Sequence, residues 1–182
     1  MKKILLSSIL ALGLSVNLNA YEVNGDLGVK WTGFKTEKKA PVSGTFKDIQ
    51  LSIEKNDDLS KFLTSAKVEI KTASFDSKSP SRDKNITSTL FSLATSETIR
   101  GSVKSVDVEN KTLVLNVTMN EVLKEVSMSY NIENSAIVAK GSIEILDFAM
   151  KDSFLAFAKK CAGFHQNKSF SDVNIEFAIP YK

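Results

Sequence analysis

The sequence predicts an all-β domain with little helix, because apolar side chains recur at every second residue through most of its length. At the C-terminus this alternation covers Val173, Ile175, Phe177, Ile179 and Tyr181. Successive side chains of a strand point to opposite faces, so each such segment has one apolar and one solvated face. Segments this numerous must bury their apolar faces against one another, in a barrel or a sandwich.

The first residues have the features of an export signal. Lys2 and Lys3 precede an apolar run over residues 4–16, and Ala20 supplies a small residue for cleavage. The run is shorter than the ~20 apolar residues that a transmembrane helix needs. We therefore expect residues 1–20 to be a signal peptide and residues 21–182 to form one domain. That domain would act in the periplasm or outside the cell, without stable insertion in a membrane.

The mature chain carries little net charge. Removal of Lys2 and Lys3 leaves 22 of the 24 basic residues against 21 acidic ones. This balance gives no reason to expect nucleic acid or an anionic membrane surface as a partner. The one cysteine, Cys161, excludes an intrachain disulfide, and we predict that it is buried on an apolar helix face.

The alternation predicts the strands in chain order. They cover residues 27–35, 42–53, 66–75, 99–108, 113–119, 126–132, 137–145 and 173–181. In the second strand the apolar phase switches at Lys47–Asp48, which predicts a bulge or a sharp bend. Short polar turns join the strands, so we expect an antiparallel, meandering sheet.

Two segments interrupt this pattern. Around Pro80 the alternation stops, and residues 82–91 are predicted to form a short helical turn. Before the last strand, Phe154 and Phe157 share the apolar face of a predicted helix. Asp152 or Ser153 is the expected N-cap of that helix and Gly163 its expected end.

Residues suited to catalysis are nearly absent. His165 is the only histidine, and no set of His, Cys or clustered carboxylates has the spacing of an ordinary metal site. The sequence also has no glycine-rich phosphate loop and no nucleophile motif. We therefore predict no catalytic residue, no metal and no cofactor. A binding protein is the first hypothesis, and an enzyme is a distant second.

Asn85 is a candidate glycan site. It lies in the stretch Asp83-Lys84-Asn85-Ile86-Thr87, an Asn-x-Thr triplet with an acidic residue two positions before the asparagine. Some bacterial oligosaccharyl transferases favour this longer pattern in exported proteins. The alternative is an unmodified polar loop.

Large apolar side chains are numerous for one small domain. In a compact sandwich they would fill the core, whereas the interior of a barrel of about eight strands can hold one small ligand. Arg82 and Asp83, in the irregular segment, are either polar groups at the mouth of such a cavity or a local ion pair. The candidate ligand-binding residues are Trp31, Phe34, Phe46, Phe75, Arg82, Asp83, Phe91, Met128, Phe148 and Phe154.

These residues resemble a known family. The opening Trp31-Thr32-Gly33-Phe34-Lys35, followed by Val42-Ser43-Gly44-Thr45-Phe46, is similar to the start of the YceI-like lipid-binding proteins. The stretch from Phe75 through Arg82-Asp83 to Ser88 and Phe91 resembles the middle of that family. The final helix, His165 and the last strand resemble its end. The resemblance thus covers essentially the whole mature chain.

The resemblance implies an extended, lipocalin-like antiparallel barrel whose tunnel holds a long-chain amphiphile such as a polyisoprenoid or a fatty-acid derivative. It also implies export and, in many members, a homodimer. This sequence departs from the family at three positions: Asn85 replaces a histidine, Thr87 an arginine and Leu90 an acid. We therefore expect a head group less charged than a pyrophosphate.

Two functional hypotheses remain beside the unlikely enzyme. The first is an exported carrier that holds a polyisoprenoid, fatty acid or fatty amide for transport, storage or stress protection. The alternative is a structural or stress-related envelope protein with a packed core and no physiological ligand. A cavity inside the sheet would favour the first.

Overall fold

A computed structural model of the protein describes residues 20–182, so the predicted signal peptide lies outside the described residues except for Ala20. The strands are β1 (Gly28–Lys35), β2 (Ala40–Phe46), β3 (Ile49–Ser52), β4 (Lys67–Lys71), β5 (Phe75–Asp76), β6 (Thr98–Asp107), β7 (Thr112–Met119), β8 (Val122–Glu133), β9 (Ala136–Glu144) and β10 (Asp172–Pro180). The helices are α1 (Leu59–Thr64), α2 (Pro80–Ile86) and α3 (Lys151–Cys161). The predicted all-β, lipocalin-like fold is confirmed.

The ten strands form one antiparallel sheet that curls into a half-barrel. Their order is β3-β4-β6-β7-β8-β9-β10-β1-β2-β5. β2 and β3 therefore belong to opposite ends of the sheet, although only Lys47 and Asp48 separate them in the chain. A connection this short keeps the Cα atoms of Phe46 and Ile49 within about 11 Å of each other. The sheet must therefore curl so that its two ends come near each other.

The bend at Lys47–Asp48 is the corner that brings these ends together, which confirms the bend predicted from the phase switch. The backbone N–H of Lys47 donates to the carbonyl of Ser74 at 2.9 Å, and that of Lys71 donates to the carbonyl of Asp48 at 3.1 Å. A second link runs from β4 to β5 through a single 3-10 turn, Thr72–Ser74. Two covalent crossings thus join the sheet ends.

The inward face of the sheet has the expected alternation. On β7, Leu113, Leu115, Val117 and Met119 are all buried. On β10 the inward-facing side chains before Ile179 are only partly buried. This difference arises because that part of β10 faces an internal cavity rather than packed side chains.

Two tight hairpins fix the register of the central strands. Asn120 and Glu121 have φ values of 52° and 62°, and Met119 pairs with Val122 across them. The turn that joins β8 to β9 also has two central residues with positive φ. Positive φ at both central residues is the type I′ geometry, whose twist matches that of the flanking strands.

Helix α1 was not predicted from the sequence. The Asp58 carboxylate accepts a hydrogen bond from the backbone N–H of Lys61 at 3.0 Å and so caps the helix. Phe62 and Leu63 are fully buried, and the ring of Phe62 stacks on that of Tyr21 with centroids 5.7 Å apart. These contacts fix the residues between β3 and β4 against the sheet.

The predicted helical turn is present and longer than expected. It consists of α2 and a π-helical turn, Thr87–Phe91, that follows without a break. This π-helical turn packs against α3. The two helical segments therefore lie together over one part of the curled sheet.

The predicted caps of α3 are wrong at both ends. Met150 is the N-cap residue, and neither Asp152 nor Ser153 caps, because the left-handed Ala149 (φ 54°) starts the helix earlier. Gly163 does not end the helical segment. The chain continues from α3 through a 3-10 turn, Ala162–His165, and Gln166 ends it with φ 53°.

A candidate ligand cavity within the curled sheet

The curled sheet encloses a cavity of about 320 Å³. Strands β1, β2, β5, β6, β7, β9 and β10 contribute to its wall. Helix α2, the π-helical turn, α3 and the segments on either side of α3 contribute the rest. Most of the side chains that line it are aromatic or aliphatic. Because apolar surface is favourably removed from water, this wall suits the hydrocarbon part of a ligand.

Four rings form one continuous aromatic cluster on the cavity wall. Trp31 stacks on Phe75 with centroids 4.4 Å apart, and Phe46 meets Phe75 edge-on at 5.5 Å. Phe91, from the π-helical turn, lies 6.0 Å from Phe75 and 6.3 Å from Phe46. Each such pair stabilises the fold by about 0.5–1.5 kcal/mol beyond the contribution of its buried area. These contacts therefore hold the four rings in place.

Gly44 permits the indole of Trp31 to lie against β2. A Cβ at this position would meet Trp31 Cζ2 at 2.5 Å and Ser77 Cα at 2.9 Å, closer than real side chains approach. The Trp31 Nε1–H also donates to the carbonyl of Thr45 at 3.3 Å. The missing side chain therefore positions the largest ring of the cavity.

Helix α2 and the residue before it bring polar groups to the cavity. The Asp83 carboxylate accepts hydrogen bonds from the hydroxyl of Ser77 and from its backbone N–H, the latter at 2.9 Å. These bonds hold the chain as it enters the helix. Arg82 and Asn85, one on each side of this anchor, then line the cavity together with serine hydroxyls.

His165 lines the same cavity from the segment after α3. Its Nδ1 lies 2.7 Å from the hydroxyl of Ser169, and its ring meets that of Phe157 edge-on at 5.5 Å. Burial lowers the pKa of His165, and the positive charges of Lys35 and Arg82 lower it further. The imidazole is therefore a neutral polar group at neutral pH.

Backbone contacts hold this segment beside the end of β1. The backbone of Lys35 pairs with that of Ser169 in an isolated bridge, and the N–H of Thr36 donates to the carbonyl of Lys168 at 3.1 Å. Lys35 lines the cavity as a result. Side chains distant in sequence, Lys35, Arg82 and His165, thus border one cavity.

Cys161 is buried and also lines the cavity. Burial raises the pKa of its thiol. A raised pKa lowers the thiolate fraction, and the thiolate is the reactive form. The environment thus suits the small apolar role expected from its helix face.

A smaller cavity of about 60 Å³ lies beside the larger one. Ile99, Val117 and Phe177 line both this cavity and the larger one. These three side chains therefore separate the two spaces. Leu63 of α1 lines the smaller cavity.

A model of the YceI-like domain family matches residues 16–180. The chain belongs to the YceI-like family. This match confirms the resemblance to the family that the sequence motifs indicated. A search among curated proteins finds no significant match.

Solved structures have the same fold at low sequence identity. A polyisoprenoid-binding domain from Saccharophagus degradans, implicated in plant cell wall breakdown, is 12% identical, with a TM-score of 0.59 over 90% of this chain and 97% of that one. BcnA from Burkholderia cenocepacia is 16% identical, with a TM-score of 0.57 over 85% and 98%. The YceI protein of Campylobacter jejuni is 16% identical, with a TM-score of 0.53 over 79% and 86%.

In this YceI-like chain, six of the ten predicted site residues border the larger cavity. They are Trp31, Phe34, Phe46, Phe75, Arg82 and Phe91. Met128 lines the smaller cavity instead. Asp83, Phe148 and Phe154 line neither cavity. Contact of any of the ten residues with a ligand stays a prediction.

The residues that line neither cavity have other places in the fold. Phe148 is almost fully buried in the core. Phe154 lies beside Phe157 on α3, with ring centroids 6.4 Å apart, and Phe157 is the one that faces the cavity. Asp83 and Arg82 form no ion pair in the described part of the chain, so only Arg82 has the position expected of a mouth group.

Sequence reasoning did not identify Lys35 and His165 as site residues. Lys35 has a signal in the sequence, since it continues the inward phase of Val29 and Trp31. A lysine at an apolar-phase position is unusual and is a reason to expect a site. His165 has no such signal, because it is the fold that brings it to the cavity.

Asn85 lies within α2, partly buried, and its side chain borders the cavity. A glycan at this position would occupy the region of the opening. Its modification stays a prediction.

Among residues 20–182, no group of three or more His, Cys, Asp or Glu side chains is placed to hold a metal ion. Within the same residues, no helix has the length and apolar character needed to cross a bilayer.

Proposed function

We propose that this YceI-like protein is a carrier that holds one long-chain amphiphile, such as a polyisoprenoid, a fatty acid or a fatty amide, for transport, storage or stress protection. The observation that carries the proposal is the cavity of about 320 Å³ with its aromatic wall and polar edge. Small-molecule sites typically have volumes of roughly 300–1,000 Å³. Each buried CH₂ group contributes roughly 0.8 kcal/mol, so the apolar wall supplies most of the binding free energy.

Two further observations support a carrier. The similar domain from Saccharophagus degradans is a polyisoprenoid-binding one. The alternative, an envelope protein with a packed core, would have no need for an internal space of this size. A filled core would also bury the inward residues of β10, which here are left partly exposed toward the cavity.

Extraction of the gently purified protein tests the proposal directly. Organic extracts would be examined by mass spectrometry, and delipidated protein would be titrated with a fluorescent fatty acid. We expect a co-purifying amphiphile and saturable binding of the probe. Absence of both would contradict the carrier and favour the packed-core alternative.

Two tryptophan substitutions on β10 locate the binding site. Ile175 lines the cavity, whereas Asn174 is exposed on the opposite face of the same strand. We expect Ile175→Trp to fill the cavity and weaken probe binding by about tenfold or more, which corresponds to about 1.4 kcal/mol. Asn174→Trp should bind as the natural protein does. Equal binding by both variants would place the probe elsewhere.

Export is a separate part of the proposal. The basic start and the apolar run before Ala20 support it. We expect protein recovered from the periplasmic fraction to begin at Tyr21 by N-terminal sequencing. Recovery of the uncleaved chain from the cytoplasm would contradict export. The proposal also includes the homodimer that the family resemblance implies, and sedimentation of the same sample tests it.

A further inference from the structure

The wall of the cavity carries positive charge that no carboxylate in the described lining balances. Lys35 and Arg82 line the cavity, and among residues 20–182 no Asp or Glu does. Lys30 also borders it, but its side chain is exposed. Lys35 and Arg82 are partly buried, and neither forms an ion pair in the described chain.

We propose that the ligand is an anionic amphiphile whose head group binds between Lys35 and Arg82 while its chain enters the aromatic cavity. This inference rests on the proposed carrier function and specifies the class of ligand. Lys35 and Arg82 are then the residues that determine head-group specificity. A carboxylate is the simplest head group of this class.

Three carboxylates in the elements that border the cavity are bound to other groups. The Asp83 carboxylate is held by Ser77. Asp76 is paired with Lys78 at 2.9 Å, and Asp172 is paired with Lys39 at 3.1 Å. None of these carboxylates is free to neutralise Lys35 or Arg82. The fold therefore leaves the two cations for a ligand.

The electrostatics of His165 indicate that both cations act on the same side chain of the cavity wall. The positive charges of Lys35 and Arg82 both lower the pKa of the imidazole, in addition to the larger effect of burial. Charges that act on one partly buried ring must each lie near it. With His165 neutral at neutral pH, the opening still carries the two fixed positive charges.

Partly buried cations beside an apolar wall are unfavourable without a counter-charge, because burial removes part of their hydration. An anionic head group would supply that charge. The neutral groups around it, Asn85 and His165, can add hydrogen bonds. Two fixed cations match a singly or doubly charged head better than a pyrophosphate, which agrees with the expectation from the sequence.

Three probes that share one chain test the proposal: palmitate, its primary amide and its alcohol. Each would displace a fluorescent fatty acid from delipidated protein at a pH where palmitate is ionised. A hydrogen bond to a charged group contributes about 1.5–3 kcal/mol, so we expect palmitate to bind roughly 10- to 100-fold more tightly than the alcohol. This preference should weaken as salt concentration rises.

Charge-removing variants assign the preference to residues. Lys35→Gln and Arg82→Gln should each lose most of the preference for palmitate and keep the affinity for the alcohol. The retained alcohol affinity also reports an intact cavity in each variant. Lys38→Gln removes an exposed lysine of the β1–β2 turn that does not line the cavity, and it should behave as the natural protein.

The outcomes separate this inference from the carrier function. Equal affinity for the three probes in the natural protein, or an unchanged preference in both Lys35→Gln and Arg82→Gln, would overturn the anionic head group and leave the carrier standing. Failure of every probe to bind would overturn both.

Discussion

The Asp76 carboxylate is buried between two lysines at the sheet end. Its Oδ2 lies 2.9 Å from Lys78 Nζ and 3.4 Å from Lys47 Nζ, and its Oδ1 accepts from the backbone N–H of Lys78 at 2.9 Å. The hydrogen bonds from Lys78, first from its backbone and then from its side chain, lower the pKa of Asp76 to about 2, against the opposing effect of burial. This residue ties β5 to the corner at Lys47.

Asp76→Asn should lower stability in a way that depends on pH. Because the pKa of Asp76 is depressed in the folded state, its ionised carboxylate stabilises the fold at pH values above its ordinary pKa of 3.8. This contribution to stability is lost as the pH falls from there through the folded-state pKa of about 2. We expect the free energies of unfolding of the natural protein and the variant to differ by a constant amount above a pH of about 5 and to converge below it. Urea unfolding at a series of pH values measures this.

A constant difference down to the lowest pH that keeps the protein folded would contradict the assignment. Asp57→Asn is the matched control, since Asp57 is exposed in the turn before α1 and has no part in this cluster. Its effect on stability should show no such convergence.

Gly44 and Gly33 allow a direct comparison of two glycines near the same cavity. Gly44→Ala would place Cβ 2.5 Å from Trp31 Cζ2 and also against the backbone carbonyl of Asp76. We expect a loss of about 1–3 kcal/mol in the free energy of unfolding, as for other overpacked positions. Gly33→Ala meets no atom within 4 Å and should be neutral or slightly stabilising. Equal effects would show that the approach of Trp31 is not tight.

At the level of elements, the alternation predicted the long strands well and the short elements poorly. β7 could be predicted because four inward residues share one phase, and the corner could be predicted because the phase changes at Lys47–Asp48. Helix α1 could not, because its six residues are too few to establish a helical period. The two buried side chains of α1, Phe62 and Leu63, are adjacent in sequence, so they do not have the spacing of an amphipathic helix.

Phe62→Ala should show how much α1 contributes to the fold. The side chain is 0% exposed, and its loss leaves a cavity beside Tyr21. We expect the free energy of unfolding to fall by about 3–5 kcal/mol. Lys61→Ala changes an exposed residue of the same helix and should stay within about 0.5 kcal/mol of the natural protein. Similar values for the two would mean that α1 is not an integral part of the core.

The candidate site was only partly predictable because two kinds of contact build it. Trp31, Phe46 and Phe75 reach the cavity from strand positions whose phase can be read in the sequence. His165 reaches it only because the segment after α3 folds back and pairs with the end of β1 at Ser169. A long-range contact of this kind leaves no periodic signal. The position of Lys35 in the apolar phase of β1 could be recognised in the sequence. Its role could not be assigned without the residues that line the cavity beside it.

At the scale of the whole molecule, closure of the sheet creates one interior with two compartments. The two chain crossings at the sheet ends bring β2 and β5 round toward β3 and β4. α1 contributes Leu63 to the smaller compartment, while α2 and α3 line the larger one. The two cations proposed to bind the head group, Lys35 and Arg82, line the larger compartment and not the smaller one. A ligand would therefore enter with its chain directed toward the smaller one.

The side chains between the compartments should limit the length of the chain that fits. Phe177 lines both spaces, of about 320 and 60 Å³, and Phe177→Ala would open one into the other. We expect the variant to bind longer saturated fatty acids more tightly, relative to short ones, than the natural protein does, because each additional CH₂ finds apolar surface worth roughly 0.8 kcal/mol. Displacement affinities across a homologous series measure this. Asn174→Ala, on the outward face of the same strand, should keep the preferred chain length of the natural protein. If Phe177→Ala also keeps that preferred length, the chain of the ligand does not reach the side chains between the two cavities.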